Sequence, residues 1–137
     1  MGSGSLEART PGKDSRRVAI LILLMRSATD FSREVLNATK KYGFIKSISS
    51  EIQDGIIFRC RMYIEQDLFI DVFYNSVTSK TAYTLVHKDR RIFGADNTGR
   101  WHYHPFDDPS QHIPCKEFKV TDFLVEVEKF VVNNIKD

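Results

Sequence analysis

The sequence predicts an α+β fold: an antiparallel sheet of about five hairpin-linked strands, with an N-terminal and a C-terminal helix packed on one face. Three observations predict it. Apolar residues recur at helical spacing near both ends of the chain. Between those ends they alternate with polar residues, and the junctions carry turn residues such as Asp54-Gly55. Helices flanking a run of hairpin-linked strands bury their apolar stripes by packing on the sheet.

The first helix follows Ser27-Ala-Thr-Asp30, which offers an N-cap. Phe31, Val35, Leu36 and Ala38 form its apolar stripe, basic Lys40-Lys41 fall in its last turn, and Gly43 stops it. From Phe44 to Glu51 the period changes to two. Asp54-Gly55 then turns the chain into a strand with Ile56, Phe58, Cys60, Met62 and Ile64 on one face. Arg59, Arg61 and Tyr63 fall on the opposite face. Leu68–Tyr74 alternates in the same way, and Thr81–Val86 is a fourth strand turned at Lys88-Asp89-Arg90. Ile92-Phe93 begins a short fifth strand closed by Gly94. The segment from Asp96 to Lys116 has no useful period. Thr121-Asp122 then caps a helix carrying Phe123, Leu124, Val127, Phe130, Val131 and Ile135.

A chain of 137 residues suits one domain with a single core. Apolar content of 42% and charged content of 28% exclude a disordered class, and a net charge of +2 does not by itself argue for nucleic acid. Two cysteines, Cys60 and Cys115, make no disulfide framework and fit a reduced compartment, with a Cys60–Cys115 bridge left open. Residues 1–17 read as a flexible leader or expression scar, and 18–137 as the domain. The run Val18–Met25 is far shorter than the roughly 20 residues that span a bilayer and has no clean cleavage site. It reads as a buried strand or helix, and a cytoplasmic location without membrane contact is expected.

The densest chemistry lies in Arg100-Trp-His-Tyr-His-Pro-Phe-Asp-Asp108 and His112-Ile-Pro-Cys115. If residues 100–104 are extended, His102 and His104 point to one side, with Trp101 and Tyr103 on the other. One reading is zinc, held by His102, His104, His112 and Cys115, although the spacing is not that of a zinc finger. A second is phosphodiester cleavage without metal or cofactor. There His102, His104 and His112 exchange protons near neutral pH, and Arg91 steadies charge on phosphorus. Arg59, Arg61, Arg90, Arg100 and Trp101 then contact the nucleic acid, through phosphates and base stacking. The third is bland: Trp101, Tyr103 and Phe106 seal one end of the sheet while the histidines bond to loop carbonyls. Asp107-Asp108-Pro109 reads as a turn. A phosphate-binding glycine loop, Gly-x-Ser-x-Gly and Cys-x-x-Cys are all absent from the sequence.

At Ile92-Phe-Gly-Ala-Asp-Asn97 and the His-rich segment after it, the chain resembles the TumE-like toxins of bacterial and archaeal toxin–antitoxin systems. The resemblance runs over residues 30–135, mostly as an order of elements. It departs from the family pattern in having His102-x-His104 and a lone His112 before Pro114-Cys115. It implies a toxin acting on RNA, neutralised by a helix-turn-helix antitoxin, with Asp96 and Asn97 organising the loop. The rival expectation is a non-catalytic module that docks a protein or nucleic acid. Oligomeric state stays open, a homodimer included.

Overall fold

The computed structural model describes residues 26–135, so the leader and the Val18–Met25 run lie outside the described residues. Helix α1 spans Ala28–Thr39, and its Ser27 cap is as expected: the Ser27 hydroxyl accepts from the Asp30 N–H at 3.0 Å. Phe31, Val35 and Ala38 are buried on its inner face. The helix ends before Lys40-Lys41, and Gly43 lies well past its last turn.

The sheet is the antiparallel one expected, but it has seven strands rather than five, in the uncrossed order β1 to β7. They are β1 (Ser47–Gln53), β2 (Ile57–Glu65), β3 (Leu68–Asn75), β4 (Thr81–His87), β5 (Arg90–Asp96), β6 (His102–His104) and β7 (Ile113–Pro114). Consecutive positive φ angles at Asp54 and Gly55 (55° and 69°) make the first hairpin turn a primed one. Lys88 and Asp89 (51° and 65°) repeat it between β4 and β5. The fifth strand is longer than its apolar start suggested, and Gly94 sits inside it rather than at its end. The added strands β6 and β7 come from the aperiodic His-rich segment. At three and two residues, they are too short to show a period.

Helix α2 (Val120–Asn134) joins α1 on one sheet face. It starts one residue before the expected Thr121-Asp122 cap. Lys119 is the N-cap, and the Asp122 carboxylate accepts the Lys119 N–H at 2.8 Å. Strict alternation in β2 and β3 sends Phe58, Met62, Leu68 and Ile70 under the helices, each contributing roughly 1.5–3 kcal/mol of burial. Phe31 stacks on Tyr74 at 4.2 Å, and Tyr83 on Phe123 at 5.4 Å. The helices do not reach over the edge strand, so every residue of β1 is exposed. Among the described residues, no helix is long and apolar enough to cross a membrane.

Among the described residues, the opposite sheet face carries no helix. Cross-strand register places Glu51, Arg59, Phe73 and Ala82 in one row across it, and Ser49, Arg61, Asp71 and Thr84 in the next. Thr84 and Ala82 pair with Gly94 and Asp96, which in turn pair with His104 and His102. The histidines of β6 therefore stand on this open face, at its far end.

Candidate functional site: a histidine and aspartate cluster on the open sheet face

Period two in β6 sends His102 and His104 to one side and Tyr103 to the other, as the sequence predicted. Pairing with β5 brings Asp96 opposite His102 and Gly94 opposite His104. The glycine is needed. A Cβ on Gly94 would stand 3.2 Å from the Tyr83 carbonyl, so that the β4 backbone must give, and in ordinary contact with His104 Cδ2 at 3.5 Å. His104 consequently lies close against the sheet and is 3% exposed.

The segment from Pro105 to His112 folds back over this edge. Phe106 stacks on Phe93 at 4.5 Å and on Phe130 at 5.3 Å, which anchors the segment to the helix side. Asp108 accepts from the Ser110 N–H and hydroxyl, closing the expected turn, and these bonds lower its carboxyl pKa. Arg91 donates to the Pro109 carbonyl at 3.0 Å. His112 is thereby brought above β6, with ring centroids 4.8 Å from His102 and 4.7 Å from His104. A donor atom from each of the three histidines lies within 4.8 Å of the others.

Each β6 histidine is fixed at both ring nitrogens. His102 Nδ1 faces the Arg100 carbonyl at 2.8 Å. His104 Nδ1 faces two carbonyls, Pro109 at 3.1 Å and Gln111 at 3.0 Å. A carbonyl only accepts, so both Nδ1 atoms carry hydrogen and donate. The two Nε2 atoms then converge on one carboxylate, with His102 at 3.3 Å from Asp96 Oδ1 and His104 at 3.2 Å from Oδ2. Burial pushes the Asp96 carboxyl pKa up. The Thr98 backbone N–H, then His104, Thr98 and His102, outweigh it and leave the pKa below the ordinary value. His112 is exposed.

The other expected residues are spread more widely. Asp96 belongs to the cluster itself, beyond the loop-organising role expected of it. Asn97 does organise: its side chain accepts from the Thr81 N–H at 2.9 Å and donates to the Ser79 carbonyl at 2.8 Å. Arg91 reaches the cluster because a bulge between the Leu85 and Val86 pairings sets it opposite Val86. Its side-chain Cδ is within 3.4 Å of the place a Gly94 Cβ would take. Arg100 contributes its carbonyl and leaves its side chain exposed, and Arg90 sits exposed at the β4–β5 turn.

Arg59 and Arg61 stand on the open face, beside a groove of about 550 Å³ that they line with Ser49, Asp71, Phe73 and Thr84. They are not bare charges. Arg59 lies over Phe73 at 5.2 Å and stands opposite Glu51 in the strand register. Arg61 lies over Phe69 at 4.0 Å and holds Asp71 with bonds of 2.8 and 3.0 Å. Trp101 does not join them. Its ring stacks toward Tyr83 at 6.4 Å on the helix side, so it seals the sheet end. Cys115 also lies apart from the histidines, lining a groove with Lys116, Phe118 and Asp122. The zinc set that includes Cys115 is therefore not assembled. Cys60 is buried in the core, and both cysteines are free.

Sequence reasoning missed Gly94 as a site residue and underrated Asp96. A glycine inside a strand is itself a signal of close approach. Comparison with protein-family models, with curated proteins and with solved structures gave no match for the chain.

Proposed function

We propose that the protein is a toxin-like ribonuclease whose chemistry is carried by Asp96, His102, His104 and His112. The observation that carries this reading is the convergence of three imidazoles and one carboxylate at the end of an open, Arg- and aromatic-bearing sheet face. Single-stranded RNA lies along the groove beside Arg59 and Arg61, whose guanidinium planes and the aromatic rings beneath them offer stacking surfaces to bases. Its scissile phosphate reaches the cluster.

There the RNA 2′-oxygen attacks the adjacent phosphorus, and the bond from phosphorus to the 5′-oxygen breaks. One proton leaves the 2′-hydroxyl and one is delivered to the 5′-oxygen. His112 is the exposed ring of the cluster and carries a proton to or from the reacting oxygens. His102 and His104 are tied at both nitrogens and act through the carboxylate they share. Arg91 lends its guanidinium to the charge on phosphorus. A cytoplasmic location follows from the cysteine usage, and a helix-turn-helix antitoxin as partner from the resemblance to TumE-like toxins.

A second reading, a non-catalytic docking module, draws on the cation–π pairs Arg59–Phe73 and Arg61–Phe69. One experiment separates the two. Purified protein is incubated with a mixed single-stranded RNA, beside folded His112→Ala and His102→Ala/His104→Ala variants. Loss of cleavage by a factor of about 10² to 10⁴ in His112→Ala supports the ribonuclease. Full cleavage by both variants removes the assignment. RNA retention without cleavage, lost instead in Arg59→Ala/Arg61→Ala, turns the reading to the docking module.

A further inference from the structure

We infer that Asp96, His102 and His104 form a binding site for one zinc-class divalent ion, with His112 beside its open coordination position. The inference deepens the ribonuclease reading, since it lies in the same cluster, and replaces the metal-free chemistry expected from sequence. It rests on a conflict that the hydrogen bonds create. Both Nδ1 atoms face only carbonyl oxygens and therefore carry hydrogen. A neutral ring then presents a bare lone pair at Nε2. In that state two lone pairs face the two oxygens of the Asp96 carboxylate, at 3.3 and 3.2 Å; where Nε2 carries hydrogen as well, the ring is an imidazolium donating to the carboxylate.

Lone pair against lone pair is repulsive. Protonating both rings relieves it only by setting two cations beside one carboxylate, with His104 almost wholly removed from water. A single divalent ion resolves the conflict by taking the two Nε2 atoms and one carboxylate oxygen as its ligands. The spacings agree with this. Two ligands of one tetrahedral zinc, each at about 2.0–2.1 Å, stand about 3.3 Å apart.

The surrounding bonds are those a metal site needs. Each ligating imidazole has its far nitrogen anchored by a backbone carbonyl, which fixes its tautomer and aims Nε2. Asp96 Oδ1 is anchored in turn by the Thr98 N–H at 2.9 Å. Three protein ligands from two paired strands leave a fourth position open, the pattern of catalytic rather than structural zinc. Nitrogen and carboxylate donors without a thiolate suit zinc, and also cobalt(II) as a spectroscopic substitute. At the ribonuclease site the ion would act as a Lewis acid toward a phosphate oxygen.

The test uses the untagged full chain and no RNA. The protein is stripped with a chelator and titrated with zinc chloride by calorimetry, and with cobalt(II) chloride by visible absorption. Binding of one ion per chain, with a rise in melting temperature, is expected. His102→Ala and Asp96→Ala should weaken binding by more than about 100-fold, since loss of a hydrogen-bonding partner behind a ligand alone costs about 10–100-fold. His112→Ala should keep it within about tenfold, because a water can take the fourth position. Asp96→Asn, which preserves shape, serves if the alanine variant does not fold. Absence of stoichiometric binding by the folded wild type overturns the site, and so does binding indifferent to His102→Ala. Stoichiometric binding without RNA cleavage would retain the metal site while ending the ribonuclease reading.

Discussion

His104 on β6 lies directly opposite Gly94 on β5, its Cδ2 3.5 Å from where a side chain on that glycine would begin. The Tyr83 carbonyl on the next strand is nearer still, at 3.2 Å, so the backbone must yield as well. Gly94→Ala is expected to cost about 1–3 kcal/mol through overpacking, and Gly94→Val more. Urea unfolding gives the cost. A shift of the His104 ring resonances in the still-folded alanine variant shows that the cluster moves with it. An alanine variant as stable as wild type with unmoved histidine resonances would contradict this contact.

His104 also holds the returning segment in place. Its Nδ1–H is shared by the carbonyls of Pro109 and Gln111, and replacement by alanine leaves Gln111 without this donor and Pro109 with Arg91 alone. His104→Ala should lose about 1–3 kcal/mol of stability and raise amide exchange across residues 105–112. His104→Gln, which retains an N–H donor, should recover part of the loss. Unchanged exchange in the alanine variant would show that Phe106 and Arg91 anchor the segment without it.

Cys60 provides a check on the core. Burial chiefly, with the Asp71 charge adding to it, pushes its thiol up from 9.0 to about 11. The native state therefore favours the protonated thiol more than the unfolded chain does. The stability this represents is fully present below the ordinary thiol value and is lost as pH rises through the raised one. Wild type should lose more stability than Cys60→Ala on passing from just below 9.0 to about 11, read by urea midpoints. Below that window a disulfide reagent should label Cys60 only upon unfolding. Rapid labelling of native Cys60 would place it nearer water than its 4% exposure allows.

The parts of this fold legible in sequence are those governed by local pattern. The Ser27 cap, the Asp54-Gly55 turn and the alternation from Ile57 to Val86 are each settled by a few neighbouring residues. The common orientation of His102 and His104 was legible for the same reason. What was not legible depends on pairing between strands. Asp96 meets His102 only because β5 and β6 lie in that register. Arg91 reaches the cluster through an irregularity that no periodicity announces. That Trp101 and His102, adjacent in the chain, part to opposite faces was legible from the extended reading of residues 100–104. The β1 strand shows the converse: Ile48 and Ile52 alternate properly but lie at an edge the helices leave uncovered.

The uncrossed order of the seven strands bears on how the chain reaches this state. Every strand pairs with its predecessor, so each step closes a short loop and no partner is awaited from a distant part of the chain. During synthesis β2, β3 and β4 can zip together before residues 96–112 leave the ribosome. The histidines are then added as the final rungs of a ladder already built. The histidine cluster is thus joined late to a sheet whose growth does not wait for it.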